Sequence, residues 1–210
     1  MAIDVVLTGF EPFGGDETNP SWEAVRRAAP ALRDRGVEVV ESELPVEFSP
    51  AGDLLEELVR EHRPRVVIAA GLAAGRAGVT PERVAINVRD ARIADNAGAR
   101  PVDEPVVAGG PVGYFTSLPI KAMVSALREQ LELPSSVSQT AGTFVCNDLF
   151  YRLLHLLSTD PGMVGVRGGF VHVPAADALA LDSTTRALER LVEVALTTEE
   201  DLAIPAGAEH

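Results

Sequence analysis

Two rhythms of apolar positions alternate along the chain. Short, largely apolar runs that read as strands lie at Asp4–Thr8, Val37–Leu44, Val66–Ala70, Arg83–Val88 and Gly169–Val173. Between them, apolar residues three and four apart predict helices over Asn19–Ala29, Ser49–His62, Pro119–Leu131, Phe144–Leu157 and Thr184–Leu196. Asn19 or Ser21 can cap the first helix with Pro20 in its first turn, and Pro64 stops the second. A weaker strand is expected at Val137–Thr140. This alternation predicts an α/β fold on a mostly parallel sheet.

The stretch Ala91–Leu118 has several Gly and Pro and little periodicity, so it reads as a long excursion, and loops of that length in compact domains are often functional. No repeat or linker divides the chain, and one domain is expected over residues 1–210. Beyond Thr197 the segment 198–210 is acidic and rich in small residues, and is expected to fray.

Charge narrows the partners. A formal net charge of −13 disfavours nucleic acid, which is bound by neutralising phosphates, and equally an anionic membrane surface. No apolar stretch approaches the roughly 20 residues that span a bilayer. Met1-Ala2-Ile3-Asp4 leads straight into a strand with no basic region before it, so no signal peptide is expected and the cytoplasm is the expected compartment. The single cysteine excludes an intrachain disulfide and any cysteine-based zinc site. The histidines His62, His155, His172 and His210 show no paired ligand spacing. No metal and no cofactor is expected.

Cys146 therefore stands out. It lies in Thr140-Ala-Gly-Thr-Phe-Val-Cys-Asn147, where a turn leads into a helix. The positive end of that helix favours a thiolate and lowers the thiol pKa. Taken alone, a lone cysteine is as readily a small buried hydrophobe. His172 ends a strand in Gly168-Gly-Phe-Val-His-Val-Pro174, and strand ends of this kind are where sites form in open α/β sheets. It could take a thiol proton and return it to a leaving amine, or be an ordinary hydrogen-bonded core histidine. His155 sits nine residues after Cys146 (155 − 146), turned away by more than about 100° on a regular helix, and is expected to be structural.

A group to orient the histidine could be any of 31 acidic residues; Glu82 is singled out by its place after the Gly-rich loop Gly71–Gly78. That loop matches neither the P-loop nor the dinucleotide fingerprint. Phe10 and Phe13, on the loop leaving the first strand, suit an apolar ligand slot or the core.

Together these segments resemble the pyroglutamyl peptidase I family (pyrrolidone carboxyl peptidases, cysteine peptidase family C15). The matching pieces run in family order over roughly residues 5 to 175: Val6-Leu-Thr-Gly-Phe-Glu-Pro-Phe-Gly-Gly15 with Asn19-Pro-Ser21, Gly75-Arg76 with Thr80-Pro-Glu-Arg-Val-Ala-Ile-Asn87, Asp90-Ala-Arg-Ile93 with Asp95-Asn96, Leu118-Pro-Ile-Lys121, and the segments around Cys146 and His172. The resemblance implies a three-layer α/β/α sandwich around a mostly parallel, twisted mixed sheet. It implies a cysteine exopeptidase that removes N-terminal pyroglutamate from peptides through a thioester.

In that scheme Cys146 is the nucleophile, His172 the general base and Glu82 its orienting carboxylate. Arg92 and the Cys146 N–H face the oxyanion, Phe10 and Phe13 hold the pyrrolidone ring, and Phe144 and Val145 lie near the same pocket. A homotetramer is implied by the same resemblance alone. Two positions depart from the family pattern: Leu72, where a pocket-shaping glutamine is common, and Asp148, where many members have a neutral or basic residue. A carboxylate close to the thiol would raise its pKa. The alternatives are a catalytically idle binding protein on the same scaffold, a redox-sensing thiol protein and a different cysteine amidase.

Overall fold

Strand β1 (Val5–Phe10) is buried along its whole length, as a central strand covered on both faces must be. The computed structural model describes residues 2–208, which leaves His210 outside the described residues. The main sheet has the order β2-β1-β3-β7-β4, where β2 is Val39–Leu44, β3 Val66–Leu72, β4 Thr80–Pro81 and β7 Arg167–Val173. All its pairings are parallel except the short β4 against β7. Val84–Ile86 (β5) and Gly113–Phe115 (β6) form a separate antiparallel pair.

Helices cover both faces. On one, α1 (Pro20–Asp34), α3 (Ile120–Gln130) and α5 (Leu181–Thr197) pack on Val5, Leu7, Ile68 and Val171. On the other, α2 (Pro50–His62) and α4 (Val145–Thr159) pack on Val6, Val67, Ala69 and Phe170. Alternate residues of each strand serve opposite cores, which is the three-layer α/β/α sandwich. No helix among the described residues is long and apolar enough to cross a membrane.

The structure changes several predicted elements. α1 does not end at Ala29 but runs through Pro30 to Asp34. The proline costs one backbone hydrogen bond, yet its ring faces solvent while Ala28, Ala29 and Leu32 on the other side are buried. The strand expected at Arg83–Val88 shrinks to β5 and pairs with β6, inside the predicted excursion, not with the main sheet.

Val137–Thr140 is not a strand. Only Ser138 bridges, to Glu82, and side-chain turns from the Ser138 hydroxyl to the Thr140 carbonyl and from the Gly142 N–H to the Thr140 hydroxyl occupy the backbone that a ladder would need. After α5, where fraying was expected, residues 198–208 have no helix or strand but carry tethers. Asp201 accepts from the backbone of Lys121 and Ala122, and the Ala206 carbonyl accepts from Arg83 and Gln139.

Candidate active site

Gly142, at φ +79°, makes the turn that sends the chain into α4. Phe144 caps the helix in an extended conformation without a side-chain hydrogen bond, which places Cys146 in the first turn among free backbone N–H groups. The Asn147 side chain locks this start to the neighbouring strand: it accepts from the Ile86 N–H and donates to the Ile86 and Val88 carbonyls. Gly71 on β3 lies beneath the thiol, where a Cβ would come within 3.0 Å of Sγ.

Gly71 is also the register partner of His172 on β7, so the parallel pairing brings the histidine strand beside the cysteine helix. His172 is 4% exposed, packed on the Phe170 ring with centroids 4.9 Å apart, and its Nδ1 lies 2.7 Å from Glu82 Oε1. A carboxylate oxygen only accepts, so Nδ1 carries the proton and Nε2 is left as the basic nitrogen. Glu82 is fully buried, and its N–H donates to the Phe170 carbonyl at 2.9 Å, which fixes it at the end of β4.

Electrostatics reverse one expectation. Burial pushes the Cys146 thiol up to about 12, with the nearby Glu82 charge adding to the rise; Arg76 and the backbone N–H at the helix start pull the other way and lose. Burial likewise lowers the His172 pKa, against the Glu82 carboxylate that raises it. The resting pair is thus a neutral thiol and a neutral imidazole, not the thiolate that the helix end alone predicted.

Asp148 does not act on the thiol as a like charge. It is buried in an ion pair with Arg89, and burial raises its own pKa against that partner's pull. His155 is structural, 2.8 Å from the Tyr114 hydroxyl and stacked on Tyr151.

A cavity of about 170 Å³ opens against Cys146, walled by Phe10, Phe13, Phe144 and Val145, with Leu72 and Val46 and the polar Asp16, Thr18 and Asn19 also on its lining. Phe13 and Phe144 rings lie 5.5 Å apart, and Phe48 packs edge-on behind Phe144 at 5.3 Å. Pockets for drug-sized ligands are about 300–1,000 Å³, so this one suits a single small ring. All five residues expected at the substrate therefore line one cavity.

Arg92 does not join them: it is exposed and makes no hydrogen bond or ion pair within the described residues. Its loop is pinned to the nucleophile turn, however, since the Asp90 N–H and the Thr143 hydroxyl exchange bonds with the Thr143 and Asp90 carbonyls. Arg76 was missed. Its guanidinium contacts Glu82 at 2.6 Å, and the available signal was that it is the only charged residue in the loop Gly71–Gly78.

The Pyroglutamyl peptidase family model (Peptidase_C15) matches residues 3–200. The chain is 48% identical to the pyrrolidone-carboxylate peptidase of Escherichia fergusonii, over 98% of this chain and 99% of that one. It is 50% identical to that of Cupriavidus necator with the same coverage. Among solved structures, the pyroglutamyl peptidase I of Bacillus amyloliquefaciens superposes with a TM-score of 0.90 at 42% identity, covering 98% of this chain and all of that one. The pyrrolidone carboxyl peptidase of Thermococcus litoralis gives 0.85 at 33% identity, covering 97% and 99%.

Proposed function

The chain belongs to the pyroglutamyl peptidase family, and from that membership we propose that it hydrolyses the bond after an N-terminal pyroglutamyl residue, with Cys146, His172 and Glu82 as its catalytic triad. The observation that carries this reading is the small aromatic cavity that ends on the sulfur of Cys146. A pyroglutamyl ring is neutral and has no free α-amine, so the aromatic walls suit it, with Asp16, Thr18 and Asn19 as the polar part of the same lining.

In the proposed reaction Sγ attacks the pyroglutamyl carbonyl while Nε2 of His172 takes the thiol proton, so that the resting Cys146–His172 pair itself holds no charge. Glu82 steadies the imidazolium that forms. The backbone N–H of Cys146 faces the oxyanion in this scheme; Arg92, exposed and outside the cavity, has that role from the family resemblance alone. His172 then protonates the departing amine, and water it activates hydrolyses the thioester. No metal or cofactor enters the scheme.

A single thiol that must stay reduced fits the cytoplasm. Val112 and Phe115, 91% and 75% exposed beside and on β6, offer apolar surface for the homo-oligomer that the family resemblance implies. The test is hydrolysis of a fluorogenic pyroglutamyl amide under reducing conditions, with a prolyl amide and Cys146→Ser as controls. Turnover of the first substrate alone, lost in the variant, is the expected result; equal turnover by Cys146→Ser removes the assigned nucleophile.

A further inference from the structure

The guanidinium of Arg76 joins three segments of the site. Nη1 donates to Glu82 Oε1 at 2.6 Å and to the Thr80 hydroxyl, while Nη2 donates to the Thr140 carbonyl at 2.9 Å. Glu82 Oε1 is the same oxygen that accepts from His172 Nδ1, and Glu82 Oε2 is buried with no partner. Both donors thus load one oxygen. Rotating the carboxylate to offer the other would break two charge-assisted bonds at once, so the pairing fixes the Glu82 rotamer. A fully buried carboxylate also needs a cation close by, and Arg76 is the arginine that reaches this one. Through Thr140, the same side chain ties Glu82 to the turn that leads into Cys146.

We propose that Arg76 is a positioning residue: it holds the shared Glu82 oxygen toward His172 Nδ1, so that Nε2 stays directed to the Cys146 thiol. This rests on the triad proposed above. Arg76 does not line the aromatic cavity that would take the pyroglutamyl ring, so its loss should fall on the chemical step and spare binding. A separate cavity of about 450 Å³, lined by Arg76 itself with Gly78, Pro134 and Ser135, leaves room for a small cation where the Arg76 side chain is removed.

The experiment compares Arg76→Met, Arg76→Lys and Arg76→Ala with the wild type on a fluorogenic pyroglutamyl amide. Wild-type failure would defeat the peptidase reading itself before any variant is made. With an active wild type, Arg76→Met is expected to lose roughly 10- to 100-fold in kcat with KM nearly unchanged, the scale of residues that act through another. The acid limb of its kcat/KM profile should move to higher pH. The charged or titratable groups that bear on His172 are Glu82, Arg76 and Cys146, and Arg76 is the cation that opposes its protonation.

Arg76→Lys keeps the charge but not the planar fork, and should fall between the two. Methylguanidinium added to Arg76→Ala should restore part of kcat while leaving the wild type unaffected. Wild-type kcat in Arg76→Lys, which covers the case of a misfolded Arg76→Met, would overturn the proposal. So would a loss confined to KM, or an acid limb that does not move.

Discussion

The sulfur of Cys146 occupies the space that a side chain on Gly71 would need, since a Cβ at Gly71 would lie 3.0 Å from Sγ. The same Cβ would meet the Phe170 ring at 2.7 Å, and Phe170 is fully buried beneath His172. Gly71 has no positive φ, so the backbone accepts alanine and the penalty is purely steric. Gly71→Ala should cost about 1–3 kcal/mol of stability, as overpacking does. By shifting the thiol against His172 it should also lower kcat about 100-fold, since misplacements near 1 Å act on that scale. Thermal unfolding and turnover of a pyroglutamyl amide measure the two; an active, stable Gly71→Ala protein would refute the contact.

The neutral resting pair makes a prediction about pH. With the thiol raised to about 12, alkylation of the free enzyme by iodoacetamide should accelerate steadily from pH 7 to 10, with no plateau near neutrality. Stability follows by linkage. Above pH 9.0, the ordinary thiol value, the unfolded chain releases a proton that the folded chain keeps, so stability falls as pH rises toward 12. His172 works from the other side: below 6.5 the unfolded chain takes a proton that the buried imidazole refuses, so stability falls there as well. The melting temperature of the wild type should drop more steeply than that of Cys146→Ala between pH 9 and 11. Parallel curves would show that the thiol is not buried in this way.

Much of this was legible in the sequence where a segment's fate depends on its own residues. The runs that became β1, β3 and β7 are apolar enough to be central strands, and the turn before Cys146 announces itself through Gly142. What was hidden depends on partners far along the chain. β4 is two residues long and exists because Thr80 and Pro81 meet His172 and Val171. The role of Arg76 is set by Glu82 and Thr140, and the thiol pKa by burial that α4 gains only on packing. The helix dipole alone favours a thiolate, and the desolvation of a half-buried thiol beside Glu82 opposes it.

Asp148, which departs from the family pattern, is predicted to matter for stability and not for the thiol. Its side chain is fully buried against Arg89, and its second oxygen has no partner. Arg89→Met removes the ion-pair partner of a buried carboxylate, leaving it only the Arg152 charge and a backbone bond from Ser49, and should cost up to about 3–5 kcal/mol at neutral pH. Because burial already raises the Asp148 pKa, part of that loss should return as the pH falls and the carboxyl takes a proton. Urea unfolding of Arg89→Met at pH 7 and pH 5 tests this. The pH dependence of Cys146 alkylation in Asp148→Asn should match the wild type; a displaced profile would put Asp148 back among the charges that govern the nucleophile.

The segment after α5 is predicted to stabilise a helix far from it in sequence. α3 starts after Pro119, which as the N-cap residue has no side chain able to cap it, and the first-turn N–H groups of Lys121 and Ala122 are bound by the carboxylate of Asp201. Asp201 thus does from 80 residues away (201 − 121) what a local aspartate does at an ordinary helix start, and its charge suits that end of the dipole. Asp201→Ala should cost about 1 kcal/mol, and Asp201→Asn less because the amide oxygen can still accept. For a domain of this size that corresponds to a melting temperature lower by about 2–4 °C. Activity should survive, since α3 contributes nothing to the aromatic cavity. An unchanged melting temperature in Asp201→Ala would mean that the cap does not persist in solution and that the segment frays as its composition first implied.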